Sequence, residues 1–361
     1  MRFKGLRDQW VKKYDAYISW KPEFIHISDV RYISGFTGST AIFMQTKKKN
    51  YLIVDFRYKE QSRKEVLEGV EVIDIPYEKT SFEVLAEILK KHGIRKVGVE
   101  GYTPVGYIKA VKKYVKGVRF YPVGGFISKL RAIKTKEEIE TIKKAQEITD
   151  KLFEWVLNNV KPGKQTEKEL AFEMERWAKT NGADGMSFEP IVAGGERSSM
   201  PHARSTDNLI PEKGVLLLDF GVRYKGYCSD MTRTVWIGSN VDGEFLKAYR
   251  IVLEAQERAI NSLRFKGTKK AKDIDKVARD YIDNTEFKGT FGHGLGHGVG
   301  LDIHEYPALS PKSKDVLRGG EVVTVEPGIY VEGKFGIRIE DMVVAGKGEN
   351  LTGSTKELIK L

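Results

Sequence analysis

GVLLLDFGVRYKGYCSDMTRTVWIG at 214–238 and GEVVTVEPGIYVEGKFGIRIEDMVVAG at 320–346 decide the fold of this 361-residue chain. Each begins with glycine, runs through an apolar strand to a carboxylate, turns through glycine and returns as a strand bearing another carboxylate. The echo predicts an internally duplicated α+β domain with a pseudo-twofold relation between its halves. Around the two segments the pattern is helical. Thr135 with Glu138 and Thr166 with Glu169 have capping-box spacing, which predicts two helix starts. Helical periodicity also covers 242–263 and 271–284.

Upstream the pattern differs. YDAYISW, TAIFMQ, NYLIVDF, VEVIDI and KVGVE read as short strands, and SFEVLAEILKKHG as a helix with Gly93 as its cap. An α/β domain is therefore expected at 1–128 and the duplicated domain at 129–361. Length and 40% hydrophobic content are ample for two cores.

Charge divides along the same line. Residues 1–130 carry 25 Lys and Arg against 14 Asp and Glu, so the whole net charge of +11 lies there. The lysines are spread along helices and turns with no nucleic-acid motif, and no nucleic-acid partner is expected. Apolar runs are too short to span a bilayer, the opening MRFKGLRDQW has no signal-peptide core, and the single Cys228 cannot form an intrachain disulfide. A cytoplasmic protein without a membrane partner is expected.

Chemistry concentrates in the second domain. Asp219 ends a strand apolar on both faces and heads into a buried place, where an unpaired carboxylate is costly. The same holds for Asp230, Glu326 and Glu340. Any one of them alone would be an ordinary ion pair or turn cap; four converging at strand ends repel one another, and divalent cations neutralise them most economically. His202 lies in SMPHARST, and His293, His297 and His304 lie in FGHGLGHGVGLDIHE, where interleaved glycines suggest a backbone built to approach a ligand closely. There is no HExxH, which disfavours a mononuclear zinc protease. An acid-rich, histidine-poor set suits harder metals such as Mn²⁺ or Co²⁺, with Zn²⁺ also compatible.

The ordered set DFG, SDMTRT, HGLGHGVGLDIHE, VEPGIY and GIRIED resembles the pita-bread metallopeptidases: aminopeptidase P, prolidase and methionine aminopeptidase. The resemblance covers 129–361, and YISGFTGST and VDFRYKEQS extend it to the amino-terminal domain of aminopeptidase P and creatinase. It implies two divalent metal ions per chain, with Asp219 on one, His297 and Glu326 on the other, and Asp230 and Glu340 bridging. It further implies catalytic roles for His202, His304 and Glu326, the last also as proton shuttle. His293 is placed in the substrate pocket, and Arg338 in substrate binding and in orienting the site. Asp341 and Cys228 read as structural.

The activity implied is hydrolysis of the amino-terminal Xaa-Pro bond of proline-containing peptides, by a homodimer. Prolidases tend to carry an arginine a few residues past the His304 position, where this chain reads HEYPALS with Ala308. That departure favours an aminopeptidase P-like enzyme over an Xaa-Pro dipeptidase. A non-catalytic protein-binding module and a metal-free creatinase are the other readings, and the intact ligand set argues against both.

Overall fold

The computed structural model describes residues 2–23 and 27–361. The chain forms two compact units, Met1–Arg131 and Ala132–Leu361. The units divide after Arg131, close to the expected 128, and the helix Phe126–Ala132 is tied to the first unit. Tyr32 donates its hydroxyl hydrogen to the Leu130 carbonyl (3.2 Å), and Arg131 pairs with the buried Asp29 (2.7 Å).

The first unit is built on six strands, β1 (Ala16–Lys21), β2 (Ala41–Thr46), β3 (Asn50–Val54), β4 (Val70–Asp74), β5 (Lys96–Glu100) and β6 (Arg119–Val123), in the order β4-β3-β2-β1-β5-β6. β1, β2 and β3 are antiparallel neighbours, while β4, β5 and β6 join in parallel. Helix Ser81–Lys91 starts at a reciprocal cap: Thr80 Oγ1 accepts from Glu83 N (3.2 Å) and the Glu83 carboxylate accepts from Thr80 N (2.9 Å). Its Val84, Leu85 and Leu89 pack against Ile18, Ile53 and Val97 of the sheet. Gly93 follows the helix in the left-handed region, at φ +62°.

A buried acid in this unit gives a first expected result. Glu100, at the end of β5 and 1% exposed, meets the hydroxyl of Tyr17. Burial raises its carboxyl to about 7, against the opposing effect of backbone hydrogen bonds from Ile127, Gly125 and Gly101. A carboxyl raised on folding contributes stability fully present below its unfolded value, near 4.5, and lost as pH rises through about 7. Thermal unfolding should therefore show a fall in Tm between these pH values that Glu100→Gln flattens; an unchanged slope would place Glu100 in water.

The second unit consists of two related halves. In one, Gly214–Phe220 lies antiparallel between Ile191–Gly194 and Met231–Ile237. Leu216, Leu218 and Phe220 meet Leu152, Phe153 and Met174 from helices Lys136–Asn159 and Glu167–Thr180. In the other, Val322–Val325 pairs antiparallel with Asp341–Val344. Val323 and Val325 share a core with Phe245, Val252 and Ile274 of helices Gly243–Ser262 and Ala271–Asp283. Thus each echoing segment covers one face of its strands with a helix pair and leaves the other face for chemistry. The capping boxes at Thr135/Glu138 and Thr166/Glu169 are both formed. Among the described residues no helix is long and apolar enough to cross a membrane.

Candidate metal centre

Strand periodicity aims the site. In Gly214–Phe220 the even-numbered leucines face the helices, so Leu217 and Asp219 take the opposite face, beside Ala193 and Ala203. Asp219 stands directly across from Thr232 in the register. Asp230 immediately precedes Met231–Ile237, Glu326 immediately follows Val322–Val325, and Glu340 joins Phe335–Arg338 to Asp341–Val344. All four carboxylates and His202, His293, His297, His304 and Arg338 line one cavity of about 370 Å³. These candidate site residues are therefore brought to one place.

At the centre, Asp230, His297 and Glu340 each offer a ligand atom, and these lie within 4.8 Å of one another. His297 Nε2 is 3.6 Å from Asp230 Oδ2 and 3.5 Å from Glu326 Oε1. His297 Nδ1 faces the Gly298 carbonyl (3.0 Å), which can only accept, so the proton sits on Nδ1 and the Nε2 lone pair faces the carboxylates. Ring and carboxylates thus present electron pairs to a common point.

The electrostatics ask for cations. Asp230 is 4% and Glu340 2% exposed. Burial, then neighbouring carboxylates, hold both carboxyls well above the usual range: Glu340, Asp219 and Glu326 act on Asp230, and Glu326 and Asp219 act on Glu340. Glu326 is pushed up to about 7, by burial first, with Arg338 opposing. Burial lowers His297 to about 4. Asp219 Oδ1 is buried with no hydrogen-bond partner among the described residues. A buried orphan oxygen, a deprotonated imidazole nitrogen and mutually repelling acids fit divalent cations; without them each feature costs free energy.

Arg338 ties the acids together. Its guanidinium pairs with Asp219, Nε donates to Thr232 Oγ1 (2.9 Å), and Nη1 donates to the Tyr330 hydroxyl (2.9 Å) and the Pro201 carbonyl (3.1 Å). It is 3% exposed. These bonds fit the expected role of orienting the site, from a side chain that also lines the cavity. His293 is held similarly. Because Arg338 donates to Tyr330, the Tyr330 hydroxyl donates to His293 Nε2 (2.9 Å), while His293 Nδ1 donates to the Gly294 carbonyl (2.8 Å). Burial, then the positive Arg338, lower His293 to about 4, so it is a neutral wall of the cavity.

Three supporting residues escaped the reading of the sequence. Thr232 donates to Glu340 Oε2 (2.6 Å), Thr324 donates to Glu326 Oε1 (3.1 Å), and Tyr330 links Arg338 to His293. A signal existed for two of them: Thr232 lies two residues after Asp230 and Thr324 two before Glu326, so strand periodicity puts Thr232 on the face of Asp230, where it meets Glu340, and Thr324 on that of Glu326. Two glycines of 292–300 are also crowded by neighbouring strands. A Cβ on Gly296 would lie 2.1 Å from the Thr324 carbonyl oxygen, and one on Gly298 2.4 Å from that of Tyr306. The smallness of these two serves strand-to-strand packing, and Gly294 and Gly296 also line the cavity. Asp341 is structural, held by Arg233 (2.7 Å) and Asn350 (2.8 Å), and Cys228 is fully buried in a strand.

Acids and histidine converging on one cavity between duplicated halves fit a metal-dependent hydrolase. The chain belongs to metallopeptidase family M24, which matches residues 140–347, and residues 6–133 match the creatinase/prolidase N-terminal domain. It is 39% identical over 289 residues to an Xaa-Pro dipeptidase of Pyrococcus horikoshii, covering 79% of this chain and 81% of that one. Among solved structures, an Xaa-Pro dipeptidase from Bacillus anthracis superposes with a TM-score of 0.92 at 38% identity, covering 100% of this chain and 99% of that one. An X-Pro aminopeptidase from Thermotoga maritima superposes at 0.88 with 35% identity, covering 98% and 100%.

Proposed function

We propose that the protein hydrolyses the amino-terminal Xaa-Pro bond of peptides, in the manner of aminopeptidase P, with two divalent cations held by Asp219, Asp230, His297, Glu326 and Glu340. The observation that carries the reading is the convergence of these five donors, mostly buried, on one cavity. Mn²⁺ or Co²⁺ suits so acid-rich a set best. The cations supply Lewis acidity and a lowered pKa for water. The chain's own residues do the rest. Glu326, which lines the cavity and is held by Thr324, takes a proton from the attacking water and returns it to the leaving amine. His304 and His202, on the exposed side of the cavity, stabilise the charge that develops on the scissile carbonyl oxygen. Arg338, Thr232 and Thr324 keep the carboxylates from turning away. The cytoplasmic homodimer implied by the sequence motifs belongs to the same proposal.

A second reading, Xaa-Pro dipeptidase, is favoured by the names of the Pyrococcus horikoshii and Bacillus anthracis relatives. Ala308 distinguishes the two. It lines the cavity and stands opposite His297 in the strand register, so a longer side chain there would reach bound peptide. Alanine offers no charge-assisted bond to a dipeptide's terminal carboxylate. A tripeptide Xaa-Pro-Xaa should therefore be cleaved with kcat/KM at least comparable to the matching dipeptide. Ala308→Arg should shift the ratio toward the dipeptide by about tenfold or more, the worth of one hydrogen bond to a charged group. Hydrolysis confined to dipeptides in the wild type would make the protein an Xaa-Pro dipeptidase.

A further inference from the structure

His297 and His304 stand at the two ends of one loop, 299–304, which joins strands Gly296–Gly298 and Glu305–Leu309. Their rings meet edge to face with centroids 4.3 Å apart. The loop's beginning is held by backbone: Val299 N donates to the Val322 carbonyl (2.9 Å) and Cys228 N to the Gly300 carbonyl (2.7 Å). Its end is held by a side chain. Glu305 Oε1 accepts from Asp302 N (3.1 Å), and Oε2 takes the ammonium of Lys134 (2.9 Å). The two side chains are only 2% and 4% exposed. The loop packs on this carboxylate so closely that a Cβ on Gly300 would lie 2.6 Å from it.

Lys134 is itself fixed from both sides. Its N–H donates to the Gly320 carbonyl (2.9 Å), and Ile133 before it bridges Glu321. The capping box of Thr135 and Glu138 begins directly after it, and the Tyr227 hydroxyl donates to Glu138 (2.9 Å). The helix start singled out in the sequence therefore sets where a buried ammonium is delivered. A buried ion pair adds little net stability over an apolar pair of the same size. An apolar pair cannot, however, direct the Glu305 carboxylate onto Asp302 N.

We propose that Lys134 is a positioning residue for catalysis: through Glu305 it fixes the end of the loop that carries His304, while the loop's beginning is held by backbone contacts. The proposal rests on the role given above to His304.

Lys134→Met alone strands a buried carboxylate, so the test uses the apolar pair Lys134→Met/Glu305→Leu, with Glu305→Gln and Lys134→Arg as milder variants in the full-length, metal-loaded protein. The apolar pair should keep its metal content and a Tm close to wild type, and its KM for an Xaa-Pro peptide should stay within about twofold. Its kcat should fall by about 10- to 100-fold, the scale of a misplaced catalytic group. Amide hydrogen exchange in 299–305 should quicken while neighbouring strands stay protected. Glu305→Gln should show the same changes in smaller degree, and Lys134→Arg, which restores the charge, should recover kcat to within about threefold. Unchanged kcat with a protected loop would overturn the proposal, as would a joint fall of kcat, metal content and Tm, which marks a purely structural contact. If the wild type does not cleave Xaa-Pro peptides, the substrate reading fails, and hydrogen exchange still decides whether Lys134 holds the loop.

Discussion

Asp230→Asn should strip metal from one or both sites and lower kcat/KM by at least about 10³-fold, while making the metal-free protein more stable than metal-free wild type. The first effect follows from position. Asp230 lies within reach of both His297 and Glu340, so removing its charge weakens whatever cation these residues share. Transition-state stabilisation by a bound metal is worth several kcal/mol, and each ~1.4 kcal/mol is tenfold in rate. The second effect has the opposite sign for the same reason. Burial and the charges of Glu340, Asp219 and Glu326 disfavour ionised Asp230, and a neutral amide of similar shape relieves that repulsion. At neutral pH, chelator-treated Asp230→Asn should melt above chelator-treated wild type, and adding Mn²⁺ should reverse the order by stabilising only the form that binds it. Metal content by mass spectrometry and paired melting curves check both halves. Normal metal and normal activity in the variant would remove Asp230 from the centre.

His304→Ala should retain its metal and lose activity, with kcat down about 10²- to 10⁴-fold and KM little changed. His304 lies on the exposed side of the cavity, against the ring of His297. Burial of its ring, then the nearby His202, lower its pKa, so it is a neutral imidazole near pH 7, able to donate or accept a proton. Losing an interaction made in the transition state lowers kcat and kcat/KM together. Loss of metal instead would mean that His304 and His297 exchange roles. The geometry speaks for the assignment given, because the Nε2 of His297 faces Asp230 and Glu326.

What could be read from the sequence, and what could not, follows the range of the interactions involved. Asp219, Asp230, Glu326 and Glu340 were legible because each interrupts an apolar strand, and a charge there needs a partner. The helix starts at Thr135 and Thr166 were legible because a capping box is written within four residues. Tyr330 was not, since its importance lies in joining Arg338, eight residues on, to His293, 37 residues back. Lys134 looked like one lysine among many, and only the fold shows its ammonium buried against Glu305. The close packing of Gly296 on the Thr324 carbonyl was not legible, because a sequence does not tell which strand lies beside a glycine. The Arg131–Asp29 pair, which ties down the end of the first unit, was not legible for the same reason: its partners are 102 residues apart.

The most direct test of the dinuclear Xaa-Pro hydrolase is a titration of the chelator-treated protein with Mn²⁺ or Co²⁺, following bound metal and cleavage of an Xaa-Pro-Xaa peptide in the same samples. Two equivalents per chain should bind, and cleavage at the Xaa-Pro bond should be absent at the start and rise as the sites fill. Binding of no metal, or cleavage undiminished by chelation, would contradict it.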